Sequence, residues 1–162
     1  MPDSLRRIYI DSCVFLDYIN DVPGHAAVVE AILAEGRRYD TSLFTSILTP
    51  VEVAFAAGEQ QKRALDPIEE ENIEKLWRPG SPVHLVEYYR LIGDDARALI
   101  RNAMLKGWSL QAMDALHLRT ARRLECTEFF TYEKRLPKFD EITGLTIVEP
   151  YTREPLLLPD KP

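Results

Sequence analysis

Residues 8–19 read IYIDSCVFLDYI, and the fold turns on how that run is parsed. Three apolar residues, Ile8, Tyr9 and Ile10, lead into an acid, Asp11, and a small polar residue, Ser12. Val14, Phe15, Tyr18 and Ile19 then recur at helical spacing. A short all-apolar run is the mark of a strand buried on both faces. Asp11 then stands at the carboxyl end of the first strand, the edge at which open α/β sheets bind ligands. A charge so close to a core is costly unless something pairs with it. The question for the rest of the chain is which other residues gather around Asp11.

Outward from this stretch, strand and helix alternate. A short helix runs to residue 20 and ends in the turn formed by Asp21, Val22, Pro23 and Gly24. A helix over 25–35 puts Val28, Val29 and Ile32 on one face and stops at Gly36. Strand two covers 43–48. Thr49, Pro50 and Glu52 have the spacing of an N-cap, a first helical residue and a capping box, which predicts a helix through residue 65. Asp66 and Pro67 start another, over 68–77. Strand three covers 83–86. The helix over 89–106 has an apolar stripe of Leu91, Ile92, Ala96, Leu99, Ile100 and Ala103, with Gly107 as its stop. Ser109 is expected to cap the helix over 110–125. Strand four is 129–132, followed at once by Glu133, and strand five is 145–148.

Such alternation predicts an α/β fold: a mainly parallel five-stranded sheet flanked by helices on both faces. Right-handed crossovers place all the carboxyl ends of its strands on one edge, so Asp11 and Glu133 emerge together. One domain is expected over 1–150. A tail over 151–162, with Pro155, Pro159 and Pro162 around three leucines, is either loosely attached or laid over a groove.

The chain has 162 residues, 46% of them apolar, which suits a single full-sized core. A net charge of −6 argues against a protein that coats nucleic acid through an overall basic surface. It leaves room for a local basic rim around an acidic site. No apolar run reaches transmembrane length, and the first residues lack the apolar core of a signal peptide, so a cytoplasmic protein is expected. Cys13 and Cys126 read as free thiols of a reducing compartment. With His25, His84 and His117 scattered, they lack the spacing of structural zinc.

Asp114 is the most informative acid. Leu110, Met113, His117, Ala121 and Leu124 form an apolar arc of its helix, and Arg119, Arg122 and Arg123 lie opposite. Asp114 falls inside the apolar side, where an inward acid near a cleft marks a site. Glu52 is explained equally well by a capping box or by a site, and the two roles are compatible at the start of a helix. Asp11 is a helix cap or a site residue. Asp17 reads as solvated, Glu133 alone as a loop acid, and Glu69, Glu70 and Glu71 as a solvated helix start. His117, Trp77 and Trp108 read as core. Two carboxylates about 4 Å apart repel by about 4 kcal/mol at an effective dielectric near 20. Several would destabilise the fold unless a cation sits among them. Oxygen-only ligands select hard cations, magnesium or manganese. Such an ion activates water and steadies the charge on a phosphodiester.

IYIDSCVFLDYI, SILTPVEVAFA, LQAMDALHLRTA and FFTYEKRL, in this order and at these separations, resemble PIN-domain ribonucleases, above all VapC-type toxins of toxin–antitoxin pairs. The likeness covers about residues 8–148 and implies a single PIN-like domain. By resemblance, Asp11 matches the first acid after strand one, and Ser12 the small hydroxyl residue that follows it. Glu52 matches the acid after strand two and Asp114 the acid of the late helix. Glu133 falls where the family has aspartate, two after a hydroxyl residue, here Thr131. It is one methylene longer, which points to a contact through water or at a second ion. The resemblance implies a Mg2+- or Mn2+-dependent endoribonuclease, with Asp11, Glu52, Asp114 and Glu133 as catalytic and metal residues. It also implies RNA as substrate, an antitoxin partner and a homodimer.

Lys134, Arg135 and Lys138 are either a basic rim for RNA or a solvated loop. The helix after Asp66 would form half of a clamp around a partner helix. The Glu133 departure motivates an alternative, a catalytically inactive PIN-like module that acts through RNA or protein binding. A haloacid-dehalogenase-like phosphatase ranks last, because Cys13 stands where that family has a second aspartate.

Overall fold

The computed structural model describes residues 5–153. They form one five-stranded sheet from β1 (Arg6–Ile10), β2 (Thr41–Ser46), β3 (Val83–Val86), β4 (Glu128–Phe130) and β5 (Thr146–Val148). The order is β3-β2-β1-β4-β5 and every pairing is parallel. β1 is central, so its run of apolar residues is buried on both faces. Ile8 and Ile10 face one way, into a core with Val14 and Phe15 of α1 (Ser12–Ile19) and Val29 and Ile32 of α2 (Ala26–Glu35). Tyr9 faces the other way, among Ala96 and Leu99 of α6 (Arg90–Leu105) and Ala115 and Leu118 of α7 (Ala112–Arg123). This is the layered α/β architecture expected, with helices on both faces.

Several local expectations are corrected. The helix expected from residue 49 to 65 is broken into α3 (Thr49–Glu52) and α4 (Ala57–Lys62). The chain leaves helical geometry at Val53 (φ −101°, ψ 41°), and that side chain is fully buried in the core. Thr49 is not the cap. It is fully buried, and its hydroxyl lies 2.7 Å from that of Thr45, which donates to the Ile10 carbonyl. Glu52 therefore belongs to no capping box. It is Glu59 that reaches back, accepting from the Ala56 amide at 3.0 Å. Asp66 does cap α5 (Pro67–Glu74), accepting from the Ile68 amide at 2.9 Å. Ser109 does not cap α7, whose N-cap residue is Gln111. Strand four ends at Phe130, two residues earlier than expected.

Gly36 ends α2 in right-handed geometry (φ −64°). Its lack of a side chain serves a close approach instead: a Cβ there would lie 2.3 Å from Leu43 Cδ1. After β4 the chain makes a 3-10 turn (Pro137–Phe139) and α8 (Asp140–Thr143) before β5. Cys13 and Cys126 are free thiols. Among the described residues no helix is long and apolar enough to cross a membrane.

At the amino edge of the sheet a largely buried cluster ties β1, α2 and β4 to residues 151–153. Arg6, 4% exposed, donates through Nε and Nη2 to Glu128 (2.7 and 3.0 Å) and through Nη1 to Glu35 (3.0 Å). The Tyr151 and Thr152 hydroxyls donate to Glu128 and Glu35, and the Arg153 amide donates to Glu35 at 2.8 Å. So residues 151–153, the start of the expected tail, are bonded into the domain. Its remainder, 154–162, lies outside the described residues.

Candidate active site

The opposite, carboxyl edge carries the acids. Asp11 is both cap and inward acid. Its Oδ1 accepts from the Ser12 amide (2.9 Å) and its Oδ2 from the Thr131 hydroxyl (2.8 Å). The side chain is held where β1 ends beside β4, and the residue is 4% exposed. Cys13 Sγ lies 3.4 Å from the same Oδ2. Burial first, and then the Asp11 charge, push that thiol up to about 12, so it stays neutral. Thr131 Oγ1 also accepts from the Glu133 amide at 3.0 Å, which fixes the loop after β4 against Asp11.

Glu52 closes α3 and accepts from His117 Nε2 at 2.6 Å. His117 is 1% exposed, and its Nδ1 lies 2.7 Å from the Tyr9 hydroxyl. The Tyr9 oxygen accepts from the Ser46 amide at 3.0 Å. A chain of bonds thus runs from β2 through β1 to α7 and out to Glu52. Burial pulls His117 down, but the bond to Glu52 and the charges of Asp11, Glu52 and Asp114 outweigh it, and its pKa is raised overall. His117 is a satisfied core histidine, as read from sequence, but it also holds Glu52.

Asp114 lies in the first turn of α7, half-buried. Burial and then the charge of Asp11 hold it above the usual carboxylate range; Glu133 adds to this, while His117 and Arg135 oppose it. Asp114 therefore feels the charges of both Asp11 and Glu133. Glu133 is turned to Arg135, whose Nε and Nη2 donate to its two oxygens at 2.9 and 3.0 Å and hold its pKa low. The charge of Arg135, one of the three residues read as either a basic rim or a solvated loop, is thereby matched by Glu133.

The four acids share one edge without forming a closed cage. Among the described residues no three His, Cys, Asp or Glu side chains stand close enough together to hold one metal ion as placed. Glu52 faces His117 and Glu133 faces Arg135, the partner each carboxylate has in the chain itself. The donor chemistry nevertheless fits a hard cation. The bonds to the buried Asp11 carboxylate come from an amide, a hydroxyl and a thiol, all neutral. Asp114 beside it carries the repulsion that a cation relieves. Sequence reading missed the supports: Tyr9 passed as one more apolar strand residue, and only its polar hydroxyl hinted otherwise.

The family described as PIN domain matches residues 8–142. No curated protein matches the chain. Several solved structures are similar to it. VapBC2 from Rickettsia felis, bound to a DNA fragment from its promoter, has a TM-score of 0.62 at 14% identity, covering 88% of this chain and 98% of that one. A toxin–antitoxin complex from Klebsiella pneumoniae has a TM-score of 0.56 at 20% identity, covering 90% and 98%. The sarcin–ricin-loop-cleaving toxin VapC20 of Mycobacterium tuberculosis has a TM-score of 0.62 at 10% identity, covering 88% and 99%. At these identities the likeness is one of fold.

Proposed function

The chain belongs to the PIN-domain family, and from that premise we propose that it is a metal-dependent endoribonuclease, the toxin of a toxin–antitoxin pair. The observation that carries this reading is the buried Asp11 carboxylate, bonded by neutral donors, on the edge where the charges of Asp114 and Glu133 also act. Asp11, Glu52 and Asp114 would hold the ion and Glu133 would assist. The oxygen-only donor set suits magnesium or manganese. The bound ion supplies water activation and charge neutralisation at the phosphodiester. The chain's own part is positioning. Thr131 aims Asp11, and His117, braced by Tyr9, aims Glu52. Positioned carboxylates with locked second partners are what such sites need. The substrate is RNA. The partner is a protein antitoxin, a role supported by the fold shared with toxin–antitoxin complexes, and the toxin would act as a homodimer in the cytoplasm.

RNA cleavage by wild type and Asp11→Asn, in magnesium, in manganese and with chelator, tests this reading. Wild type cuts RNA only with the ion, and the variant does not cut. Equal cleavage by both proteins removes the assignment. A second readout is thermal unfolding: manganese raises the wild-type midpoint by binding the native state, and Asp114→Asn abolishes the rise. One observation favours an inactive binding module, the engagement of both Glu133 oxygens by Arg135. Its signature is RNA binding by folded protein with no cleavage under any ion. The dehalogenase alternative falls with family membership.

A further inference from the structure

We propose that Lys106, Trp108 and Lys138 form a phosphate-binding platform for single-stranded RNA on the segments that lead into Asp114 and away from Glu133; this rests on the nuclease reading above. Lys106 Nζ lies 5.2 Å from the centroid of the Trp108 ring and Lys138 Nζ 5.6 Å from it. The indole is braced edge-on against Phe139 at 5.5 Å, so it is fixed in place. A ring face attracts ammonium groups, and here one ring draws in two. Lys106 has a carboxylate partner, Glu141 Oε1 at 2.6 Å. Lys138 has none among the described residues. The cluster therefore carries two like charges against one countercharge, and both lysines are exposed. A phosphate set between them relieves that repulsion.

Its place along the chain ties it to the acids. Trp108 lies in the loop that leads into α7 and Asp114. Lys138 follows Glu133 by two short turns, closed by Leu136 N–H to Glu133 O (3.1 Å) and Phe139 N–H to Leu136 O (2.9 Å). The two segments that carry late acids of the site thus also carry the platform. A chain of net charge −6 repels a polyanion overall, so binding needs local positive charge. Arg135 is occupied by Glu133, and the platform provides what Arg135 does not.

Binding of a short single-stranded RNA is measured in chelator, across salt concentrations, for three proteins. These are wild type, Lys106→Gln with Lys138→Gln, and Lys106→Arg with Lys138→Arg. Each phosphate neutralised on a single strand contributes about 0.7 to the slope of log affinity against log salt. The glutamine variant is expected to lose about that much per lysine, and the arginine variant to keep it. In cleavage assays KM rises in the glutamine variant and kcat holds. An unchanged slope and KM in a protein that does cut RNA overturns the platform alone. Loss of binding to polyglutamate but not to RNA assigns the lysines to an acidic polypeptide and overturns it as well. A wild type that neither binds nor cuts RNA removes the nuclease reading itself.

Discussion

The hydroxyl of Tyr9 is buried and serves two partners, the Ser46 amide and His117. Tyr9→Phe keeps the ring, which stacks on Phe129 at 5.2 Å, and deletes only the oxygen. A buried donor left without its acceptor costs about 1–3 kcal/mol, so the urea midpoint should fall by that equivalent. The same change frees His117 at Nδ1 and loosens its hold on Glu52. The expected kinetic result is a lower kcat with RNA affinity unchanged, and a full-activity variant would show that Glu52 needs no such brace. At this scale the acids were legible in sequence, because an apolar run that switches to an acid marks the end of a buried strand. Their supports were not. Tyr9 and His117 are 108 residues apart, and nothing in local spacing reports a bond across that distance. Asp114 stands out in sequence because its wheel position conflicts with solvation, whereas Glu52 is ambiguous, since a cap and a ligand share one pattern.

At the scale of elements, α2 and β2 meet at Gly36. A Cβ there would fall 2.3 Å from Leu43 Cδ1, 2.7 Å from Leu43 Cγ and 3.2 Å from Pro82 Cβ. Leu43 is fully buried and cannot swing away. Gly36→Ala is therefore an overpacking change, expected to cost about 1–3 kcal/mol in denaturant unfolding. Gly58→Ala, in α4 with nothing within 4 Å of its Cβ, is the control, and should be neutral or mildly stabilising. A loss no larger at position 36 than at 58 would remove the packing argument. In sequence, Gly36 signals only a helix stop, and the stop was read correctly for a reason that does not apply, since its φ is −64°. The strands and long helices were readable from periodicity. The region after β2 was not, because Thr49 has the spacing of a cap yet spends its hydroxyl on Thr45, and the buried Val53 breaks the helix.

Across the whole molecule, the two edges of the sheet hold charge in different ways. At the carboxyl edge the hydrogen bonds to Asp11 come from neutral donors; at the amino edge Arg6 is paired with the buried Glu35 and the part-buried Glu128. Residues 151–153 complete that seat with two hydroxyls and an amide. Burial pulls Glu128 upward, yet the hydrogen bonds of Arg6 and Tyr151 and the charges of Arg6 and Arg153 outweigh it and hold its pKa below the usual value. A carboxyl with a depressed folded-state pKa stabilises fully above its unfolded value, about 4.3, and the contribution is lost as pH falls through the folded value. Arg6→Met leaves the buried Glu35 and the part-buried Glu128 without their guanidinium, and removal of one partner from a buried pair costs about 3–5 kcal/mol. The urea midpoint of the variant should therefore lie well below wild type at neutral pH. The gap should narrow as pH falls below about 4, where the Glu128 carboxyl takes up its proton and wild type loses that ion pair. A gap that stays constant between pH 7 and pH 3 would mean that Arg6 acts by packing against Tyr151 and Phe130, the rings its guanidinium covers at 4.8 and 5.6 Å, and not by charge.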